Sequence, residues 1–123
     1  MDLFQNYLEG KIMQGLRFRS TDGKIEMVNF RDETEIPKLL STEKIISGNY
    51  YLGKYKYSIY FNPVSEERNI SLMDLRRQET IIGDLIIVPQ IREVHDFDYE
   101  AINSAMVMSY DGGPILFAEP AEN

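Results

Sequence analysis

The densest group of chemically capable side chains lies in HDFDYE, residues 95–100. It holds the single histidine of the chain, His95, together with Asp96, Asp98 and Glu100. Histidine and carboxylates are the usual groups for acid–base catalysis and for metal binding. One histidine cannot make a multi-histidine metal site, and a catalytic histidine needs a positioned partner. A hydrolase built on His95 is therefore the least favoured of the functions considered for this chain.

The spacing of these carboxylates also argues against a calcium loop. Such a loop needs Gly at its sixth position and Glu at its twelfth, and counting from Asp96 those positions hold Ala101 and Val107. A looser Mg²⁺ site of two carboxylates and water is a weaker alternative. The same residues suit the start of a helix, with Asp98 as N-cap and Glu100 in the first turn. We predict a strand-to-helix junction here, with no metal, cofactor or catalytic residue.

The charge of the chain is concentrated towards its end. The net charge is −7, and after Arg92 there are seven acidic side chains and no basic one. Such a run is typical of a solvated surface, and it also suits a face that meets a basic protein. Nucleic-acid binding is disfavoured, because phosphate contacts need cations. The predicted partner-binding acidic face consists of Glu93, Asp96, Asp98, Glu100 and Asp111.

A second candidate is the aromatic stretch YYLGKYKYSIYF, residues 50–61, in which lysines alternate with tyrosines. In a strand, Tyr55 and Tyr57 share one face, whereas Lys56 and Tyr60 share the other. The simplest interpretation is a core face and a solvated face. Tyrosine is also enriched at protein interfaces, and aromatic rings beside cations can hold a nucleotide-like ligand. The candidate ligand or interface residues are Lys54, Tyr55, Lys56, Tyr60, Arg76 and Arg77, with Arg92 as a further phosphate contact.

Composition limits the class of protein. The chain has 123 residues and no cysteine, which excludes disulfides, thiolate metal sites and cysteine nucleophiles. Its beginning lacks the pattern of a secretory signal, and its longest apolar run, LIIV, is far below the ~20 residues needed to cross a bilayer. We expect one compact domain, 1–123, with a loose tail at 118–123, in the cytoplasm and without membrane contact.

The first half of the chain predicts a helix followed by hairpins. Residues 2–14 have helical periodicity, and Gly15 is the expected stop. Residues 16–30 alternate around the turn signal TDG and predict a hairpin. Pro37 can open a short helical turn. A further turn must precede the strand at 55–61, at either SGN or LGK.

The second half predicts a buried strand, a junction and a final edge strand. Residues 80–89, TIIGDLIIVP, form a run that is hydrophobic on both faces, typical of a central strand, and 90–97 predict one more strand. Within residues 98–114 a helix is favoured, with Asp98 as its N-cap and Gly112 or Gly113 as its stop, although 105–110 could instead form a hairpin with PILFA, residues 114–118. With the helix, PILFA becomes an edge strand.

These elements indicate an α+β fold with a mostly antiparallel sheet of about 5–7 short strands and one helix near each end. The favoured function is that of a non-enzymatic, acidic binding protein that engages or inhibits a basic or nucleic-acid-binding protein, as inhibitors, immunity proteins, antitoxins and viral anti-defence proteins do. The first alternative is a nucleotide-like ligand bound by the Tyr/Lys strand. The second is a homo-oligomeric subunit that pairs through an edge such as PILFA.

Overall fold

Most of the chain folds as β-strands in the computed structural model. The structure describes residues 13–19, 22–66, 69–76, 79–89, 99–108 and 114–121. The strands are β1 (Met13–Phe18), β2 (Ile25–Phe30), β3 (Ile46–Leu52), β4 (Tyr55–Phe61), β5 (Ile70–Asp74), β6 (Thr80–Ile82), β7 (Leu85–Pro89), β8 (Met106–Met108) and β9 (Pro114–Pro120). The helical elements are a 3₁₀ turn (Glu33–Glu35), α1 (Ile36–Leu39) and α2 (Tyr99–Ser104).

The nine described strands belong to one sheet. Its order is β2-β1-β7-β4-β3-β9-β5-β6, and β8 pairs with β9 beside this path. Each pair among the described strands is antiparallel except β5 with β9, which is parallel. The mostly antiparallel sheet predicted from the sequence is confirmed. The predicted number of 5–7 strands is too low. The run at 80–89 forms two strands, and the segment predicted as a helix from residue 98 includes a further strand, β8.

Two hairpins begin the sheet, and glycines with positive φ make their turns. β1 pairs with β2 in the predicted hairpin, where Gly23 has a φ of 71°. β3 pairs with β4 across a two-residue turn that begins at Gly53, also with a φ of 71°. Glycine reaches this region without the steric cost that a Cβ imposes. The turn before the Tyr/Lys strand therefore lies at LGK rather than at SGN.

The sheet buries a hydrophobic core on each face. Strand β7 supplies both, because Leu85 and Ile87 point to one side and Ile86 and Val88 to the other. This confirms that its apolar run is a central strand. The first core consists of Leu16, Phe18, Leu52, Tyr57, Ile59, Leu72, Ile81, Leu85, Ile87, Ile102, Leu116 and Ala118. The second core consists of Phe30, Ile36, Leu40, Tyr60, Ile86 and Val88.

A short helical segment, residues 33–40, covers the second core. Asp32 caps it by accepting the N–H of Thr34 at 2.8 Å, while the Glu35 carboxylate reaches back to accept the N–H of Asp32, which completes a capping box. The hydrogen bonds from Thr34 lower the pKa of the Asp32 carboxyl. Pro37 lies in the first turn of α1, as predicted. The segment places Ile36 and Leu40 on the sheet.

The helix predicted at residues 2–14 is wrong at its C-terminal end. Met13, Gln14 and Gly15 belong to β1, and residues 2–12 lie outside the described residues. Gly15 does not stop a helix. A Cβ on Gly15 would lie 2.9 Å from Cγ2 of Ile86, so glycine here permits the close approach of β1 and β7.

The run at 80–89 forms two strands instead of one. It divides at Gly83, which has a φ of 89°, and β6 and β7 then pair with different neighbours. The buried hydroxyl of Ser71 donates to the carbonyl oxygen of Gly83, and the N–H of Gly83 donates to the carbonyl of Asn69 at 3.0 Å. These bonds hold the bend. The strand predicted at 90–97 lies outside the described residues.

Both interpretations of residues 98–114 are partly correct. Helix α2 covers Tyr99–Ser104 and buries Ile102, but it ends where β8 begins at Met106. β8 then pairs with β9, with Met108 opposite Pro114, as the hairpin alternative required. The favoured longer helix is therefore wrong. A helix near each end of the chain is not confirmed, since the described helical elements are short.

The final strand lies inside the sheet. β9 pairs with β3, β5 and β8, so PILFA is not an edge strand. The strand continues to Pro120, and the N–H of Ala121 donates to the carbonyl of Asn49 at 2.9 Å. Ala118 is fully buried, because it lies between its neighbouring strands in the first core. Residues 118–120 of the predicted loose tail therefore belong to β9, and residues 122 and 123 lie outside the described residues.

Candidate functional site

Strand β4 passes from an exposed half of the sheet to a covered half on the same face. Lys56, Ser58 and Tyr60 alternate along that face. At the covered end, Tyr60 is only 8% exposed and packs in the second core, where its hydroxyl donates to Oε1 of Glu33 at 2.9 Å. In the middle, the Ser58 hydroxyl donates to Oδ1 of Asn49 at 3.3 Å. At the other end, Lys56 is half-buried.

A row of charged and aromatic side chains crosses the exposed half of this sheet face. Tyr51 of β3 lies directly opposite Lys56 of β4 and opposite Glu119 of β9. Directly opposite residues of antiparallel strands project from the same face, so these three side chains are neighbours. The ammonium of Lys56 lies 5.7 Å from the centroid of the Tyr51 ring. Tyr51 is 38% exposed.

Arg76 completes this row through two hydrogen bonds. The buried carboxylate of Asp74, at the end of β5, accepts the N–H of Arg76 at 2.9 Å. That bond fixes the turn after β5 in the manner of an Asx-turn. The Arg76 guanidinium then donates to Oε1 of Glu119 at 3.2 Å. We call Lys56, Tyr51, Glu119 and Arg76 the Tyr51 face.

Two of the predicted ligand or interface residues lie on the Tyr51 face, and others lie elsewhere in the fold. Lys56 and Arg76 lie on it. Tyr55 projects to the opposite side of β4 and packs against the first core, while the ammonium of Lys54 lies 5.4 Å from its ring. Tyr60 is a core residue, so it does not offer the exposed ligand or interface surface that the sequence suggested.

Most of the predicted acidic face lies outside the described residues. Glu100 is exposed in the first turn of α2, as predicted. The other members, Glu93, Asp96, Asp98 and Asp111, lie outside the described part of the chain. The same holds for His95, Arg77 and Arg92.

Two members of the Tyr51 face were missed from the sequence, Tyr51 and Glu119. A signal for Tyr51 was present, because a two-residue turn at Gly53 places it opposite Lys56. Glu119 offered no comparable signal, since only the pairing of β3 with β9 brings it there.

The Tyr51 face has the chemistry of a binding surface. It offers an aromatic ring, two cations and one carboxylate, but no nucleophile beside a general base. Within the described ranges, no three His, Asp or Glu side chains come together as a metal site. In the same part of the chain, no helix has the length and apolar character needed to cross a membrane.

Comparison with protein-family models, curated proteins and solved structures finds no significant match to this chain.

Proposed function

We propose that this chain is a non-enzymatic cytoplasmic binding protein that engages another protein through the Tyr51 face. The observation that carries the proposal is the row of exposed Tyr51, Glu119 and Arg76 and half-buried Lys56, on a sheet whose other half is covered. Tyrosine and arginine are enriched among the residues that dominate binding energy at protein interfaces. The alternating charges would set the register of a partner.

The acidic surplus of the chain favours a partner with a basic surface. The Tyr51 face itself is nearly balanced, with two cations and one carboxylate. The seven acidic residues after Arg92 supply the net charge of −7, and a charge of that size steers a basic protein towards the chain. Inhibitors, immunity proteins, antitoxins and anti-defence proteins act in this way, by occupying a functional surface on their partner.

Affinity capture from native lysate with matched variants tests the proposal. Wild type and Lys38→Ala, which alters the outer surface of α1, should recover the same partner. Tyr51→Ala should lose it. Recovery should also fall as salt rises, because steering between charged proteins is screened. Equal recovery by Tyr51→Ala would exclude the Tyr51 face, and recovery that is unchanged by salt would exclude the electrostatic mechanism.

A second candidate function uses the same residues on a small ligand. The Tyr51 ring lies between Lys56 and the Glu119–Arg76 pair, an arrangement that could stack a base and contact a phosphate. A thermal-shift panel of nucleoside mono-, di- and triphosphates tests it. A rise in Tm that Tyr51→Ala and Arg76→Ala both abolish would favour this function, and the absence of any shift would count against it.

Homo-oligomerisation remains a prediction, although not through PILFA. Because β9 lies inside the sheet, it has no open edge for a second copy. Light scattering after size exclusion measures the oligomeric state. A dimer would need another surface, such as the terminal strand β2.

A further inference from the structure

An open polar cleft of about 770 Å³ lies at the other end of β4 from the Tyr51 face. Its floor continues the covered face of the sheet. Arg17 lies in the same cross-strand row as Ile86 and Tyr60, and Asp84 and Asn62 follow as the next residues of that face, just beyond the ends of β7 and β4. The second core therefore ends where this cleft begins.

An ion pair holds the floor in place. The Arg17 guanidinium donates from both Nε, at 3.3 Å, and Nη2, at 2.9 Å, to Oδ2 of Asp84. Both side chains are partly buried, with exposures of 28% and 23%. Asn62 is oriented as well, because its Oδ1 accepts the N–H of Val64 at 3.0 Å. These polar groups are fixed before any ligand arrives, which lowers the entropic cost of binding.

The walls come from two loops. One is the end of the helical segment, at Leu40 and Ser41, and the other is the loop after β4, at Val64, Ser65 and Glu66. Ser41 has a φ of 54°, a region that side chains with a Cβ rarely occupy and that usually takes glycine after a helix. A strained non-glycine residue at a cleft is a pointer to function, since glycine would fit the backbone better.

The lining chemistry selects the class of ligand. The one cation among the described lining residues, Arg17, is already paired with Asp84, and Glu66 adds negative charge, which disfavours anions. The described apolar lining is limited to Leu40 and Val64, so a hydrophobic ligand would gain little. Amides and hydroxyls both donate and accept hydrogen bonds, which is the pattern that neutral hydroxyl groups match.

We propose that this cleft binds an uncharged, hydroxyl-rich ligand, either a small sugar or the sugar of a nucleoside. Its volume lies within the roughly 300–1,000 Å³ of typical ligand pockets. Ser41, Asn62 and the Arg17–Asp84 pair supply the hydrogen bonds. The site is separate from the Tyr51 face, and it stands or falls independently of the protein-binding function.

Amide NMR titration of the full chain tests this proposal. The probes are glucose, galactose, maltose, adenosine and uridine, with AMP and spermidine as charged comparators. We expect at least one neutral probe to saturate and to shift the amides of Ser41, Asn62 and Asp84, while that of Tyr51 stays in place. Sugars that bind without nucleosides, or the reverse, would identify the source of the hydroxyl-rich group.

Two variants locate the contacts, and a third is the control. Ser41→Gly suits the backbone and should fold normally, yet bind roughly two- to tenfold more weakly through loss of one hydroxyl. Asn62→Ala should weaken binding in the same way, through loss of the side-chain amide. Gln14→Ala, at an exposed position on the opposite face of β1 from Arg17, is the control outside the cleft. The proposal is overturned if no neutral probe binds, if only AMP or spermidine binds, or if Ser41→Gly and Asn62→Ala both bind as wild type does.

Discussion

The two halves of one sheet face differ in what covers them, although a single strand runs through both. At one end of β4, Tyr60 is buried under the helical segment and bonded to Glu33. At the other end, Lys56 and its neighbour Tyr51 face outwards. The difference arises from what covers the strand, since a tyrosine stands on this face at each end. We expect the covered half to determine stability and the exposed half to determine binding.

The largest effect on stability is expected from Ile86→Ala in the covered half. Ile86 is fully buried in the second core, and its truncation leaves a cavity there. The free energy of unfolding should fall by about 2–5 kcal/mol. Urea denaturation measures the loss. Tyr51→Ala in the exposed half is the matched comparison and should lose less than about 1 kcal/mol. Equal losses would remove the distinction between the halves.

A smaller loss is expected from Gly15→Ala. The added Cβ meets Cγ2 of Ile86 at 2.9 Å and the carbonyl oxygen of Ile87 at 3.3 Å, so β1 and β7 must separate slightly. Overpacking of this kind costs about 1–3 kcal/mol, which urea denaturation detects. Gln14→Ala, at the exposed neighbouring position, is the control. A neutral Gly15→Ala would mean that the contact between these strands is loose.

Tyr60→Phe isolates the polar contact of the covered half. It keeps the ring in the second core and removes the hydrogen bond to Glu33. The expected loss is about 1 kcal/mol. Tyr51→Phe should leave stability unchanged, because Tyr51 belongs to the exposed half. If the two substitutions had the same effect in thermal unfolding, the Tyr60 hydroxyl would have no structural role.

Glu119→Gln tests whether an ion pair in the exposed half affects binding more than stability. The pair with Arg76 joins side chains that are 50% and 58% exposed. Exposed pairs contribute about 0–1 kcal/mol, so the unfolding free energy should change little and the difference should vanish at high salt. Partner recovery should nevertheless fall, because Arg76 loses its orientation. Unchanged recovery would place Glu119 outside the binding surface.

The smallest effect concerns pH and the cap of the helical segment. Thr34 lowers the pKa of Asp32 in the folded state, so the contribution of the ionised cap is present above the ordinary aspartate pKa and is lost as pH falls through the lowered value. Asn caps helices without titrating. The Tm advantage of wild type over Asp32→Asn should therefore shrink at acid pH. A constant difference from neutral to acid pH would contradict this role.

The features that the sequence predicted correctly depend on neighbouring residues. Gly23 made the predicted turn because its φ value is costly for other residues, and Pro37 began a helical turn because its ring presets φ. The turn at Gly53 was one of two positions that the sequence left open. The alternation in β4 placed Tyr57 and Tyr60 on opposite faces. The turn and the helix start follow from the φ preference of a single residue. The two faces of β4 follow from the alternation of side chains along a few consecutive residues.

The tertiary structure alone decided which elements meet. β9 lies between β3 and β5, which brings Glu119 to Tyr51 and to Arg76 and completes the Tyr51 face. Gly15 became a strand contact because β7 approaches it, and the cleft exists because Asn62 and Asp84 end adjacent strands. These pairings join parts of the chain that are distant in sequence. They are stabilised by side chains that the paired strands bury together, which a local sequence pattern does not reveal.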